Sequence, residues 1–155
     1  VYLQLASHYQ QWKEQGGNTD SMAEEDIALL EQAVENHIDM MDNFLEQAEA
    51  RENYNDLLMG HRALFRYFIV MRKPNDAVAQ MKEIIEVLPQ TTDYHVSETA
   101  DAYMTLGQLF LQFKKFQTAY KYFDLAREVF EGEGPEWEMH MYQAEGWMEE
   151  CEKHL

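Results

Sequence analysis

Apolar residues recur at intervals of three and four along most of the chain, and this spacing limits its fold more than any other feature of the sequence. The longest such series is unbroken by Gly or Pro and consists of Ile27, Leu30, Val34, Ile38, Met41, Leu45 and Ala48. Such spacing is typical of an amphipathic α-helix, whereas a half-buried strand would alternate apolar and polar residues. No alternating stretch of convincing length is present. The sequence therefore predicts an all-α fold built from antiparallel helical hairpins.

Turn-forming and capping residues place the ends of about seven predicted helices. Ser21 followed three residues later by Glu24 is a capping-box signature, which predicts a helix start. Thr91, Thr92 and Asp93 are candidate caps for a later helix, since short polar side chains can accept hydrogen bonds from the first turn. The predicted helices cover residues 2–15, 21–50, 53–71, 74–89, 98–113, 116–130 and 135–154.

The chain combines a strong negative charge with a large apolar content. It has 29 Asp and Glu against 12 Lys and Arg, a formal charge of −17, yet 46% of its residues are apolar and 13% are aromatic. The apolar content excludes a disordered acidic tail, and a length of 155 residues fits one domain. The charge argues against a nucleic-acid surface, which needs clustered Lys and Arg. No apolar run approaches the roughly 20 residues of a membrane span, so we expect no membrane insertion.

Two further details concern the location and the extent of the chain. Cys151 is the only cysteine, so an intramolecular disulfide is impossible, and this composition predicts a reducing, cytoplasmic location. The chain opens at Val1, with neither an initiator Met nor a signal peptide. We therefore expect it to be a piece of a longer protein.

An internal repeat is visible in the second half of the chain. The stretch from Ala100 has its large and small apolar residues at Tyr103, Leu106, Gly107, Phe110, Ala119, Phe123 and Ala126. A weaker copy, 42 residues upstream, has Leu58, His61, Leu64, Phe68, Ala77, Met81, Ile84 and Pro89, with Phe65 in place of the small residue Gly107. This pattern resembles the tetratricopeptide repeat, in which small residues let the two helices of a hairpin approach closely. The 42-residue offset is longer than the usual period of about 34 residues.

The resemblance implies one domain over residues 1–155. Its hairpins would cover about residues 1–50, 53–89 and 98–131, followed by a terminal helix over 135–154. Such hairpins stack into a short right-handed superhelix with a concave and a convex face. The alternative is an ordinary helical bundle in which the spacing arose by chance.

A search for catalytic or metal-binding patterns finds none that is complete. No histidine has Asp or Glu three residues before it, so the Glu-x-x-His pairs of a di-iron bundle are missing. His95 and Glu98 have only the reversed spacing, and Cys151 with His154 would supply just two ligands. Neither a Gly-rich phosphate loop nor a Gly-x-Ser-x-Gly motif is present. We therefore predict that the chain is not an enzyme and holds no cofactor or metal.

A basic island in the middle of the chain marks the candidate binding site. Residues 58–92 carry 5 basic and 3 acidic side chains, net +2, whereas residues 1–57 are net −11 and residues 93–155 net −8. Arg62 and Arg66 are one helical turn apart and so share a face. The resemblance implies that this face points into the concave groove. The predicted ligand-binding residues are Met59, Arg62, Arg66, Ile69, Met104, Gln108, Leu111 and Gln112.

Two observations qualify this interpretation of the basic island. At the positions equivalent to Arg62 and Arg66, Met104 and Gln108 depart from the basic and Asn residues of the family's carboxylate clamp, which argues against binding of chaperone tails. The alternative role for the two arginines is structural: they would neutralise carboxylates of the long helix over residues 21–50.

The function predicted from these features is that of a non-catalytic scaffold that binds a peptide or a partner helix in a concave groove. The alternative is a peptide-sensing regulatory domain of a larger transcription or signalling protein. A homodimer through the helix over 135–154 is a further hypothesis, because this helix carries four large apolar residues. These residues, Trp137, Met141, Trp147 and Met148, would otherwise have to fold back on the helix over 116–130.

Overall fold

A computed structural model describes residues 24–155 of the chain. In this part, six α-helices are joined by short turns, and all regular structure is helical, which confirms the predicted all-α class. The helices are α1 (Glu24–Ala50), α2 (Tyr54–Val70), α3 (Pro74–Val87), α4 (Val96–Gln112), α5 (Phe116–Gly132) and α6 (Glu138–Glu152). Short 3-10 turns at Leu88–Gln90 and Pro135–Trp137 follow α3 and precede α6. The predicted helix over 2–15 and the predicted helix start at Ser21 lie outside the described residues.

Helix capping explains where α2 and α4 begin. The side chain of Asn53 accepts a hydrogen bond from the backbone N–H of Asp56 at 3.1 Å. The N-cap of α4 is His95, whose Nδ1 accepts from the N–H of Ser97 at 3.1 Å, while the Glu98 carboxylate accepts from the N–H of His95 at 3.1 Å. This reciprocal arrangement is a capping box with an imidazole in place of a hydroxyl.

The predicted caps Thr91, Thr92 and Asp93 were therefore wrong. The Thr91 hydroxyl instead donates to the carbonyl of Leu88 at 2.7 Å and closes the 3-10 turn. Asp93 has a left-handed backbone, with φ of 58°, whereas an N-cap residue is extended.

The 42-residue offset of the sequence is also an offset of the backbone. Helices α2 and α4 each have 17 residues and begin at 54 and 96, and α3 and α5 begin at 74 and 116. Equivalent turns end α2 and α4: the N–H of Lys73 donates to the carbonyl of Phe68, and the N–H of Lys115 to that of Phe110, both at 2.9 Å. Arg72 and Lys114 precede these donors with φ of 56° and 60°, the left-handed conformation that ends many helices.

The chain divides into two compact units, one ending at Glu83 and one running from Ile84 to Leu155, with the boundary inside α3. The prediction of a single domain stays a prediction. In the first unit, Tyr67 and Met71 of the α2 end form a buried pair. The apolar residues packed against this pair include Leu30, Val34 and Ile38 of α1.

The close approach of α1 and α2 occurs at Gly60. A Cβ atom at Gly60 would lie 2.5 Å from the Leu45 side chain, so the helices can be this close only because the residue lacks a side chain. On another side of α2, His61 Nδ1 lies 2.7 Å from Gln80 Oε1 of α3. Helix α2 therefore contacts both neighbouring helices within this unit.

The second unit is built around the interface of α4, α5 and α6. Its core includes Ala119, Phe123, Ala126 and Phe130 of α5, which are buried. A Cβ at Gly107 of α4 would lie 2.6 Å from the Phe123 ring, which confirms that these two helices approach closely at this glycine. Sequence pattern and packing agree here: the small residue faces the large aromatic one.

Helix α6 folds back on this core. The four residues that suggested a homodimer all pack against it: Trp137, Met141, Trp147 and Met148. Trp147 stacks on Phe123, with ring centroids 5.8 Å apart and planes 12° from parallel. These four side chains are therefore packed within the chain. A homodimer stays a hypothesis, but these residues no longer support it.

Candidate functional site

Four of the predicted binding residues form one exposed face of α2. Met59, Arg62, Arg66 and Ile69 follow one another at spacings of three, four and three residues, so they lie along the same side of the helix. Met59 is 60% exposed and Ile69 is 38% exposed, and both arginines are exposed. The face is about 15 Å long at 1.5 Å per residue. We call these four residues the α2 face.

The α2 face is exposed because the other sides of the helix are occupied. Leu64 and Tyr67 are each only 2% exposed, and Tyr67 packs with residues of α1. His61 is held by its hydrogen bond to Gln80 of α3. Helices α1 and α3 thus pack against two sides of α2. The third side presents Arg62 and Arg66, flanked by Met59 and Ile69.

The charge of this face is not neutralised locally at Arg66. Within residues 28–155, Arg66 forms no ion pair with a carboxylate. Elsewhere, cations do find such partners: Arg127 pairs with Asp124 at 2.9 Å and with Glu131 at 2.7 Å. The structural alternative, in which the arginines neutralise carboxylates of the long helix, therefore has no support at Arg66 in this part of the chain.

The predicted site residues of α4 are arranged differently. Met104 is 8% exposed and belongs to the core of the second unit, although Arg62 at the equivalent repeat position is exposed. Gln108 and Gln112 are exposed and one turn apart, and Leu111 is half-buried against the core. On α4, the two amides are thus the predicted residues with most surface, whereas Met104 packs inside.

His95, the histidine with the reversed Glu spacing, has structural partners for both of its ring nitrogens. His95 uses Nδ1 for the helix cap, and its Nε2 lies 3.4 Å from Glu133. Its ring stacks on Trp137 at 5.6 Å. Within residues 28–155, no three His, Cys, Asp or Glu side chains are grouped so that they could hold a metal ion. The reversed His95–Glu98 spacing seen in the sequence is therefore the capping box.

Sequence reasoning missed one surface entirely. The outer side of α6 exposes Met139 and Tyr142, which are 77% and 51% exposed. The opposite side of α6 carries the main apolar series, in which Ala144 and Cys151 are fully buried, and the prediction for this helix rested on that series alone. The sequence does contain a signal for this surface, because Met139 and Tyr142 form a second apolar pair outside the main series.

Comparisons with protein-family models, curated proteins and solved structures found no match to the chain. None of the helices in the described part of the chain combines the length and apolar character that a membrane span requires.

Cys151 should be nearly inert in the folded protein. Its side chain is fully buried, and burial raises the pKa of the thiol, as does the nearby Glu150 carboxylate. Thiolate is the reactive form, so both effects slow reaction with a disulfide reagent. We expect labelling of the native chain to be at least about 100-fold slower than labelling in denaturant, because it requires local opening.

The measurement is simple because this is the only thiol in the chain. The denatured chain is the reference, and equal labelling rates in the two states would show that α6 is not packed as described.

Proposed function

We propose that the chain is a non-catalytic interaction domain built from helical hairpins of the tetratricopeptide type, and that its α2 face binds a segment of a protein partner. The observation that carries the proposal is the exposure of Met59, Arg62, Arg66 and Ile69 on one side of α2. The repeat reading is supported by the backbone offset of 42 residues between α2–α3 and α4–α5.

The chemistry of the α2 face specifies the partner segment. Arginine binds carboxylates through charge-assisted hydrogen bonds, and Arg62 and Arg66 are spaced to hold two acidic side chains or one bidentate carboxylate. Met59 and Ile69 lie at the two ends of the face and can cover apolar side chains, for which the flexible Met side chain is well suited. The partner segment should therefore be acidic in its middle and apolar at its ends.

The test is selection of peptides from a phage-displayed random library, followed by affinity measurement on variants. We expect the selected peptides to be enriched in Asp and Glu next to apolar residues. Arg62→Ala/Arg66→Ala should weaken their binding at least about 10-fold, since one hydrogen bond to a charged group contributes about 1.5–3 kcal/mol. Thermal stability should change little, because both side chains are exposed.

The matched control is Lys73→Ala/Lys82→Ala, which removes the same charge from exposed positions of the same unit outside the α2 face. This control should bind as the unchanged chain does. Equal loss in both double variants would show that net charge, rather than the α2 face, determines binding. A library without enrichment would contradict the proposal outright.

A further inference from the structure

A glycine on the outer side of α6 has no packing neighbour within the described part of the chain. Gly60, Gly107 and Gly146 lie in the interior of helices, where Gly is about 1 kcal/mol less favourable than Ala, whereas Gly132 is the last residue of α5. Gly60 and Gly107 are explained by side chains that a Cβ would approach to 2.5 and 2.6 Å. At Gly146, no atom of a neighbouring element in the described structure lies within 4 Å of the Cβ position.

Gly146 lies in the middle of an exposed surface. Met139, Tyr142, Gln143, Gly146 and Glu150 recur at helical spacings, and we call these five residues the α6 face. Met139, Tyr142 and Gln143 are exposed and line an open depression of about 450 Å³ with His140. The Tyr142 hydroxyl donates to the Glu138 carboxylate at 2.8 Å, which holds the ring against the helix surface.

The charge around the α6 face is entirely acidic within the helix. Residues 138–152 contain five Glu and neither Lys nor Arg, while Lys153, directly after the helix, pairs with Glu150 of the α6 face at 3.1 Å. A basic partner would find complementary charge at the edges of an apolar centre. A second copy of this chain, in contrast, would bring two sets of five carboxylates together, which disfavours pairing of α6 with itself.

We infer that the α6 face is a docking site for a basic amphipathic helix of another protein, whose backbone lies against Gly146. A glycine lets two helices approach closely, as Gly107 does within this chain. The apolar side of the partner helix covers Met139 and Tyr142, and its Lys and Arg side chains reach the flanking glutamates. In helix docking of this kind, the anchoring side chains recur at spacings of three, four and seven residues.

The experiment is selection from a phage-displayed library of helical peptides as long as α6, which has 15 residues. The full 155-residue chain is the bait. We expect enriched peptides to carry net positive charge and one apolar side. Gly146→Leu should weaken their binding at least about 10-fold, because the new side chain fills the line of approach.

Gly132→Leu is the matched control, because in the described structure its Cβ position is also free of neighbours within 4 Å, while it lies outside the α6 face. Peptide binding should be unchanged in this variant. Equal affinity for Gly146→Leu and the unchanged chain would overturn the inference, as would enrichment of acidic peptides or no enrichment at all. Sedimentation of the chain alone should show a monomer; a dimer that Gly146→Leu dissociates would assign the α6 face to a second copy instead.

Discussion

Replacing Phe123 with Ala should destabilise the second unit by about 3–5 kcal/mol, the usual cost of removing a buried aromatic side chain. Phe123 is fully buried at the point where three helices meet: its ring lies against Gly107 of α4 and stacks on Trp147 of α6. The cavity left by the ring cannot collapse easily, because Ala119 and Ala126 on either side are themselves small and fully buried. Denaturant unfolding followed by circular dichroism measures the loss.

Cys151 offers an independent measurement of the same change. It belongs to the core that Phe123 fills, so loss of that packing should expose the thiol. A destabilisation of about 3–5 kcal/mol should make labelling about 100-fold faster or more, up to the rate of the denatured chain, at 1.4 kcal/mol per factor of ten.

Leu125→Ala is the control for this substitution, since Leu125 lies on the same helix but is 40% exposed. It should cost less than about 1 kcal/mol. If Phe123→Ala cost no more than Leu125→Ala, the interface of α4, α5 and α6 would not be the core of this unit.

Helix positions could be predicted from the sequence because they depend on local signals. The apolar spacing acts within one or two turns, and the predicted ranges 53–71 and 74–89 lie close to the observed bounds of α2 and α3. His95 was missed as a cap because imidazole rarely has this role, although Glu98 at the third position already carried half of the capping-box signal.

Burial at equivalent repeat positions could not be predicted from the sequence. Arg62 and Met104 occupy the same offset, yet one is exposed and the other is 8% exposed within a core. The offset identifies a side of a helix, but the neighbours of that side decide whether it is covered. Met104 belongs to one buried cluster with Ala100 and Phe123 of its own unit.

The α6 face could not be predicted from the sequence for a related reason. The sequence suggested an uncovered surface that would bind another chain, formed by Trp137, Met141, Trp147 and Met148. In the structure, all four side chains pack against α5 and its surroundings. Leu155 extends the same series in the sequence but lies beyond the end of α6 and is 70% exposed. Periodicity alone therefore does not separate the covered side of a terminal helix from the side that remains open.

The same substitution, Gly to Ala, should have opposite effects at two positions of the second unit. At Gly107 the new Cβ would lie 2.6 Å from the Phe123 ring, which is fully buried. Overpacking of this kind costs about 1–3 kcal/mol, of which the better helix propensity of Ala returns up to about 1 kcal/mol. At Gly146 the new methyl group meets no neighbouring element of the described structure, so Gly146→Ala should stabilise the chain by up to about 1 kcal/mol.

The difference between the two variants, about 2 kcal/mol, can be measured as a shift of the denaturant midpoint in opposite directions. Phe123→Leu provides the coupling test, because a smaller side chain opposite Gly107 leaves room for the added methyl group. Gly107→Ala should therefore cost less in the Phe123→Leu background than in the unchanged chain, which a double-mutant cycle detects. Shifts of the same sign at both glycines would mean that Gly107 is not the point of closest approach between α4 and α5. In that case Gly107 could no longer serve as an example, within this chain, of a glycine that lets a second helix approach, as we infer for Gly146.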